Sequence, residues 1–336
     1  PLDRVSAQDK FAVDDGAHPP AGAIAPASVE EVQAAVRIAN QFRVPLFPIS
    51  RGKNLGYGGS APVLEGSVVM DLSGMKKIEF DAANGVVTLE PGVGFYDLYD
   101  YIQRHDLPFW LSTPGNSWGS VIGNALDRGV GYTPFGENTK YLCGMEVVLP
   151  TGEVVRTGMG AFDKADTWGL YPYGFGPAWD QMFVQSNFGI VTKANMWLMD
   201  EPESLMGMDV EFDRPEDLKA MVDTLGPLRR EGLLRQSPSI GNWMRAAAVL
   251  TTRGEWTDEP GALSDSVIDA IRKRFNIGWW GVSLRLYGRE EVNKASYKVL
   301  EKAMSDIGPM AIKPTTWRKG EPIERSGWTG TPMTFP

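Results

Sequence analysis

The chain's most concentrated group of chemically useful residues is a glycine-rich loop with two cations. The loop reads Ser50-Arg51-Gly52-Lys53-Asn54-Leu55-Gly56-Tyr57-Gly58-Gly59. Glycine allows tight turns and lets backbone N–H groups come close to a ligand. Consecutive N–H groups form a nest for an anion, and Arg51 and Lys53 add positive charge. We interpret the loop as a site for a cofactor pyrophosphate, with an ordinary surface turn as the alternative. Its spacing matches neither a Walker loop nor the dinucleotide fingerprint.

A second cluster of small residues covers 114–124 and continues through 128–134. Its letters are PGNSWGSVIGN and then RGVGYTP. Small residues let the backbone approach a flat aromatic surface, and Ser120, Asn124 and Thr133 offer hydrogen-bonding groups. Long glycine-rich loops inside compact domains are usually functional. The cluster therefore favours a ligand-lining role over a long irregular loop without one.

A third cluster precedes a predicted strand. It consists of YGFGP at 173–177 and QSNFGIVT at 185–192. Backbone amides at a strand entry are free to face a cofactor ring, but taken alone this cluster favours a plain strand entry.

The composition is that of a globular protein without metal or disulfide chemistry. Hydrophobic residues make up 43% and charged residues 22% of the chain, which argues against wholesale disorder. The net charge of -9 disfavours nucleic acid as a partner. Cys143 is the only cysteine, and His18 and His105 are the only histidines. This excludes a disulfide framework within the chain and a multi-cysteine metal site, and disfavours a histidine-rich one. No apolar run approaches the ~20 residues of a membrane helix.

Hydrophobic periodicity predicts a mixed α+β first part. Ser28-Val29-Glu30-Glu31 is a capping box that begins a helix over 29–42. A buried strand over 44–49 leads into the first glycine-rich loop. Further strands are predicted over 68–72, 86–90 and 189–199, a helix over 96–104, and a hairpin that pairs 145–149 with 153–157.

The pattern changes near Asp200-Glu201-Pro202, where we place a domain boundary. Strands are predicted over 207–212 and 279–286, and helices over 216–225, 265–275 and 290–307. Helices on one face of an antiparallel sheet fit this order. The predicted domains are 1–200 and 201–336.

Three signatures in this order resemble the p-cresol methylhydroxylase / vanillyl-alcohol oxidase family of FAD-dependent flavoproteins, on the cresol hydroxylase side. They read ISRGKNLGYGGSAP, then GNALDRGVGYTPFGEN with GMEVVLPTGEVVRTGMG, then YPYGFGP with QSNFGIVTKANMWLM. GPLRR, TTRGEWTDEPG and LYGREE extend the resemblance into the second half. It implies a two-subdomain FAD-binding domain plus a substrate cap with an antiparallel sheet. Complete members are longer, so the cap would be incomplete at its C-terminal side.

The resemblance assigns residues to FAD and to a phenolic substrate. It implies that Tyr57 binds the substrate as phenolate, since a hydroxyl donor stabilises charge on the phenol oxygen. It places the residue that forms a covalent flavin link beyond Pro336, as well as other phenol-binding residues. The positions that match FAD-binding residues are Ser50, Arg51, Gly52, Lys53, Asn54, Leu55, Gly56, Pro114, Gly119, Ser120, Gly123, Asn124, Gly131, Tyr132, Gly189, Ile190 and Val191.

The chemistry implied by the resemblance is hydride transfer from the carbon para to the phenol to flavin N5, through a p-quinone methide. Vanillyl-alcohol oxidases carry a catalytic aspartate after the proline that matches Pro114, whereas the cresol hydroxylases lack it and this chain has Gly115 there. We therefore expect a hydroxylase that passes electrons to a cytochrome c. An O2-using oxidase and a non-catalytic flavin-binding subunit are the alternatives. The resemblance also implies a homo-oligomer and suggests a periplasmic location, with the cytoplasm as the alternative.

Overall fold

The structure is a computed structural model, which describes residues 18–53, 59–115 and 117–321. The chain divides into two compact units. The first consists of Pro1–Gly131 and Phe135–Asp200, and the second of Tyr132–Pro134 and Glu201–Pro336. The short segment that contains Tyr132 therefore groups with the second half of the sequence.

The first unit contains three helices and ten strands within the described residues. In chain order they are β1 (Gly22–Ile24), α1 (Val29–Phe42), β2 (Leu46–Ile49), β3 (Val68–Asp71), β4 (Ile78–Asp81), β5 (Val86–Leu89), α2 (Phe95–Arg104), β6 (Phe109–Trp110), α3 (Val121–Leu126), β7 (Leu142–Val148), β8 (Val154–Arg156), β9 (Ile190–Trp197) and β10 (Met199–Asp200). Short 3-10 helices cover Asn138–Tyr141, Gly158–Ala161 and Asp180–Phe183.

Helix α1 has the predicted bounds because its cap is encoded locally. The Ser28 hydroxyl accepts a hydrogen bond from the Glu31 N–H at 3.2 Å, and the Glu31 carboxylate accepts one from the Ala27 N–H at 2.7 Å. The helix buries Val32 and Val36 in a core that also contains Met70, Leu72, Met75 and Val148. The apolar stripe of the helix thus packs on β3.

Two main sheets form the first unit. Strands β1, β3 and β2 form a parallel sheet in that order, and β4, β5, β9, β7 and β8 form an antiparallel sheet in that order. Every residue of β7 is buried. Strand β2 ends at Ile49, so the parallel sheet delivers Ser50 and Arg51 to its carboxyl edge.

The second unit confirms the predicted antiparallel sheet with helices. Its sheet order is β12-β13-β11-β14. Met208, Val210 and Phe212 of β11 are fully buried with Met221 and Leu300 of two helices. The elements are β11 (Ser204–Phe212), α4 (Asp217–Arg230), β12 (Ser239–Asn242), α5 (Trp243–Leu250), α6 (Asp265–Phe275), β13 (Trp280–Gly288), α7 (Glu290–Ser305) and β14 (Ala311–Arg318), with a 3-10 helix at Arg253–Glu255.

Several boundaries differ from the prediction. Residues 121–126 form α3 rather than irregular loop, and the strand predicted over 189–199 is interrupted between β9 and β10. Helix α4 continues past its predicted end at 225, because the Glu231 N–H bonds to the Pro227 carbonyl and adds a turn. Besides α3, the helices and strands that the sequence did not predict are β1, β4, β6, β12, α5 and β14. Among helices of the described residues, none is long and apolar enough to cross a membrane.

Candidate cofactor site

Arg51 connects the end of β2 to the start of α2. Its Nη1 donates hydrogen bonds to the Gly92 carbonyl at 3.0 Å and to the Asp97 carboxylate at 2.5 Å. A Cβ at Gly94, the N-cap of α2, would lie only 2.8 Å from the same nitrogen. The guanidinium therefore lies against the first turn of α2, and Asp97 offsets part of its positive charge.

Ser50 lies against the start of α3. A Cβ at Gly123 would come within 2.5 Å of the Ser50 hydroxyl oxygen, so only glycine fits without a shift. The Ser120 hydroxyl caps α3 by accepting a hydrogen bond from the Gly123 N–H at 3.0 Å, and it donates one to the Pro91 carbonyl at 2.6 Å. The structure thus brings together residues from the first two sequence clusters at one edge of the parallel sheet.

A short backbone pairing holds the starts of α2 and α3 together. The Phe95 N–H donates to the Gly119 carbonyl at 3.3 Å, and the Val121 N–H donates to the Val93 carbonyl at 3.0 Å. Gly94 and Ser120 form an antiparallel bridge between them. Gly119 and Ser120 are therefore positioned by residues that the sequence did not single out.

Asn124 and Gly131 are fixed by contacts within the protein. The Asn124 side-chain oxygen accepts a hydrogen bond from Asn138 Nδ2 at 2.6 Å. The Gly131 N–H donates to the Gly136 carbonyl at 2.7 Å. A Cβ at Gly131 would lie 2.7 Å from the Ser112 backbone carbonyl atoms, so this position requires glycine. The side-chain oxygen of Asn124 therefore stabilises the loop that the second cluster forms.

Tyr132 lies in the second unit, with Thr133 and Pro134. Within that unit the Tyr287 hydroxyl donates to the Tyr132 carbonyl at 3.3 Å. Burial raises the pKa of Tyr287, so its hydroxyl keeps the proton that this bond requires. Sequence reasoning missed Tyr287, and the LYGREE motif that contains it was its only signal.

Gly189, Ile190 and Val191 lie apart from these contacts, along the strand pairing of β7 and β9. Ile190 pairs with Val148 and Val191 with Val147. The Ile190 side chain packs on the core beneath α1. A Cβ at Gly189 would lie 2.5 Å from a Val147 methyl group. Any contact of these three residues with a cofactor would therefore involve mainly backbone.

An open cavity of about 470 Å³ lies beside the third cluster. Its lining is largely apolar and includes five aromatic rings, and the volume suits a small molecule. Four of the lining aromatic residues have between 47% and 84% of their surface exposed to solvent. The aromatic lining residues are Phe162, Phe175, Trp179, Phe183 and Phe188. The third cluster thus contributes an apolar surface that its glycines did not predict.

Asn54, Leu55, Gly56 and Tyr57 lie outside the described residues. Of their neighbours, Gly52 has a positive φ of 59°, which favours glycine, and Lys53 is exposed. Pro114 lies two residues before residue 116, which is also outside the described residues.

Two features of the described residues fit a bound FAD. Gly94, Gly123 and Gly131 lie where a Cβ would clash with Arg51, Ser50 and Ser112, so glycine lets the loops that we expect to line the cofactor pack closely. The Thr113 and Ser117 hydroxyls are buried without a partner among the described residues. Such groups are rare in native proteins and indicate a missing ligand or water.

Cys143 is a poor candidate for chemistry. The residue is 1% exposed, and burial raises the pKa of its thiol to about 12. Only the thiolate is nucleophilic, so this thiol is inert near neutral pH.

Comparison with known proteins gives a consistent family. Residues 20–158 match the FAD binding domain family. The 4-cresol dehydrogenase (hydroxylating) flavoprotein subunit of Pseudomonas putida is 41% identical over 300 residues, which are 88% of this chain and 57% of that protein. The 1'-carboxy-chondrochloren decarboxylase of Chondromyces crocatus is 34% identical over 84% of this chain and 53% of its own length.

Solved structures agree with these relatives. p-Cresol methylhydroxylase with substrate bound matches at a TM-score of 0.88 and 38% identity, over 93% of this chain and 60% of that one. The 4-ethylphenol oxidase of Gulosibacter chungangensis, in complex with isoeugenol, matches at a TM-score of 0.87 and 36% identity. This match covers 94% of this chain and 61% of that one. The chain thus spans between 53% and 61% of the length of these four relatives. It belongs to the p-cresol methylhydroxylase family of FAD-binding flavoproteins, and FAD is its cofactor.

Proposed function

We propose that the protein uses FAD to oxidise phenols with an alkyl or hydroxyalkyl group para to the hydroxyl. The observation that carries this proposal is the 38% identity and TM-score of 0.88 to p-cresol methylhydroxylase with substrate bound. The relative named 4-cresol dehydrogenase supports the same substrate class. In this proposal, residues 1–200 form the FAD-binding domain and residues 201–336 belong to the substrate cap.

The proposed reaction begins with a phenol that has lost its proton. Bound FAD supplies a hydride acceptor at flavin N5. The substrate loses hydride from the carbon para to its oxygen and becomes a p-quinone methide, to which water adds to give an alcohol. Tyr57 donates a hydrogen bond to the phenolate oxygen and stabilises its charge.

The remaining proposed roles concern cofactor binding. The pyrophosphate would bind beside Ser50 and Arg51, where a cation at the carboxyl edge of the parallel sheet favours an anion. Asp97 beside Arg51 at 2.5 Å limits the net positive charge. Glycine at 123 and 131 lets these two segments pack closely on Ser50 and Ser112.

Anaerobic addition of 4-methylphenol to the FAD-loaded protein is expected to bleach the visible absorbance of the flavin, because hydride leaves the substrate for the flavin. 4-Methylanisole is the matched control. Its oxygen carries a methyl group and cannot ionise, so we expect no bleaching. If no para-alkylphenol bleaches flavin that is demonstrably bound, the protein is a non-catalytic flavin-binding subunit instead.

The proposed electron acceptor is a cytochrome c. The P. putida relative is named a flavoprotein subunit, which supports a separate redox partner, and Gly115 leaves no carboxylate at the position where the family's oxidases carry aspartate. The similarity to 4-ethylphenol oxidase favours the second candidate, an oxidase. We further propose a homo-oligomer.

Substrate-reduced flavin is expected to react slowly with O2 and rapidly with a one-electron acceptor. Stopped-flow absorbance measures both reoxidation rates, and a peroxide assay measures the product of the O2 reaction. Cytochrome c and an artificial acceptor serve as parallel acceptors. Peroxide production at the rate of turnover with the artificial acceptor would make the protein an oxidase.

A further inference from the structure

Two buried hydroxyls lie on either side of Pro114 and Gly115. Thr113 and Ser117 are each 1% exposed. Neither hydroxyl has a hydrogen-bond partner within residues 18–53, 59–115 and 117–321. Buried hydroxyls in native structures nearly always have a partner, because an unpaired one destabilises the fold. Two so close in sequence therefore indicate that a ligand supplies the partners.

Both hydroxyls adjoin positions that we expect to line FAD. Ser112, which precedes Thr113, contacts Gly131. Gly119 and Ser120 follow Ser117 closely, and Ser120 is the N-cap of α3. The FAD binding domain match at 20–158 includes the whole stretch.

Ser120 shows that unpaired hydroxyls are not a general feature of this region. Its hydroxyl is also buried, yet it accepts a hydrogen bond from the Gly123 N–H at 3.0 Å and donates one to the Pro91 carbonyl at 2.6 Å. The fold thus satisfies the Ser120 hydroxyl with partners from within the protein. It leaves Thr113 and Ser117 unsatisfied on the same segment.

We propose that the Thr113 and Ser117 hydroxyls each hydrogen-bond the bound FAD. FAD has acceptors along its whole length, in its phosphate oxygens, ribityl hydroxyls and ring carbonyls, so both hydroxyls can find partners on one ligand. The inference rests on FAD as the cofactor and is independent of the substrate that the protein oxidises. It has a distinctive consequence, because in the FAD-free protein these hydroxyls contribute no hydrogen bond.

The test compares FAD affinity with the stability of the FAD-free protein. Thr113→Val and Ser117→Ala remove one hydroxyl each with little change in shape. Titration of the apoprotein with FAD, followed by flavin fluorescence, is expected to show Kd values about three- to tenfold higher for each variant. The melting temperature of the apoprotein is expected to stay the same or rise, since removal of an unpaired buried hydroxyl does not destabilise a fold.

Two further variants make the result decisive. Ser67→Ala removes a buried hydroxyl that donates to the Leu64 carbonyl at 2.7 Å, so it should lower the apoprotein melting temperature and leave the Kd for FAD unchanged. Thr113→Ser keeps the hydroxyl and should keep the parent Kd. Unchanged FAD affinity in Thr113→Val and Ser117→Ala would overturn the proposal, as would weak FAD binding in Thr113→Ser.

Discussion

Replacement of Tyr57 by phenylalanine is expected to slow reduction of the flavin by a 4-alkylphenol about 10²–10³-fold, the usual effect of losing one donor to a developing or full charge. The substitution removes only the hydroxyl, so FAD content should be unchanged. Stopped-flow measurement of the anaerobic bleaching rate gives the effect on the chemical step separately from substrate binding.

The pH dependence distinguishes a phenolate-stabilising role from a general loss of activity. A substrate phenol ionises in water with a pKa of about 10. As the pH approaches that value, solution chemistry supplies the phenolate that Tyr57 would otherwise favour, and the deficit of the variant should shrink. Tyr171→Phe is the matched control, because Tyr171 is 59% exposed and has no proposed role. A parent reduction rate in Tyr57→Phe would remove this residue from the site.

Replacement of Gly131 by alanine is expected to weaken FAD binding about fivefold or more. A Cβ at this position would lie 2.7 Å from the backbone C and O of Ser112, so one of the two segments must move. Overpacking of this kind typically costs about 1–3 kcal/mol, which corresponds to a change in Kd of roughly fivefold to 150-fold if the displaced backbone lines the cofactor.

Titration of the apoprotein with FAD measures the change, and Gly74→Ala provides the control. Gly74 has open space where its Cβ would be, and it is not one of the glycines with a positive φ. Alanine therefore fits there. Should Gly131→Ala bind FAD with the parent affinity, the 128–134 segment does not line the cofactor.

The sequence predicted elements well wherever neighbours along the chain supply the stabilising contacts. Helix α1 has its predicted bounds because Ser28, Glu31 and Ala27 form the cap among themselves. Helix α6 also has its predicted bounds, with Ser264 at its N-cap position and Asn276 in a left-handed conformation at its end. Capping and helical periodicity are local properties, so they can be read directly from residue order.

Elements that depend on distant partners were missed. Strand β1 has only three residues and forms by pairing with β3, and β14 carries polar residues and pairs with β11 along one edge of its sheet. Helix α3 has six residues, too few for stability on its own, and the bond from Ser120 to the Pro91 carbonyl holds its start in place. Pairing with a distant strand and a bond to a distant carbonyl leave no periodic pattern in the sequence.

The sequence by itself determined the α+β class, the antiparallel sheet of the second half and, through three glycine-rich signatures, the FAD-binding family. Only the tertiary structure decided which of those residues meet. It put Ser50 against Gly123 and Arg51 against Asp97, grouped Tyr132 with the second unit, and left Thr113 and Ser117 buried without partners among the described residues. The physical reason is that residue type and spacing encode local conformation, whereas hydrogen-bond satisfaction and steric fit depend on segments far apart in the chain.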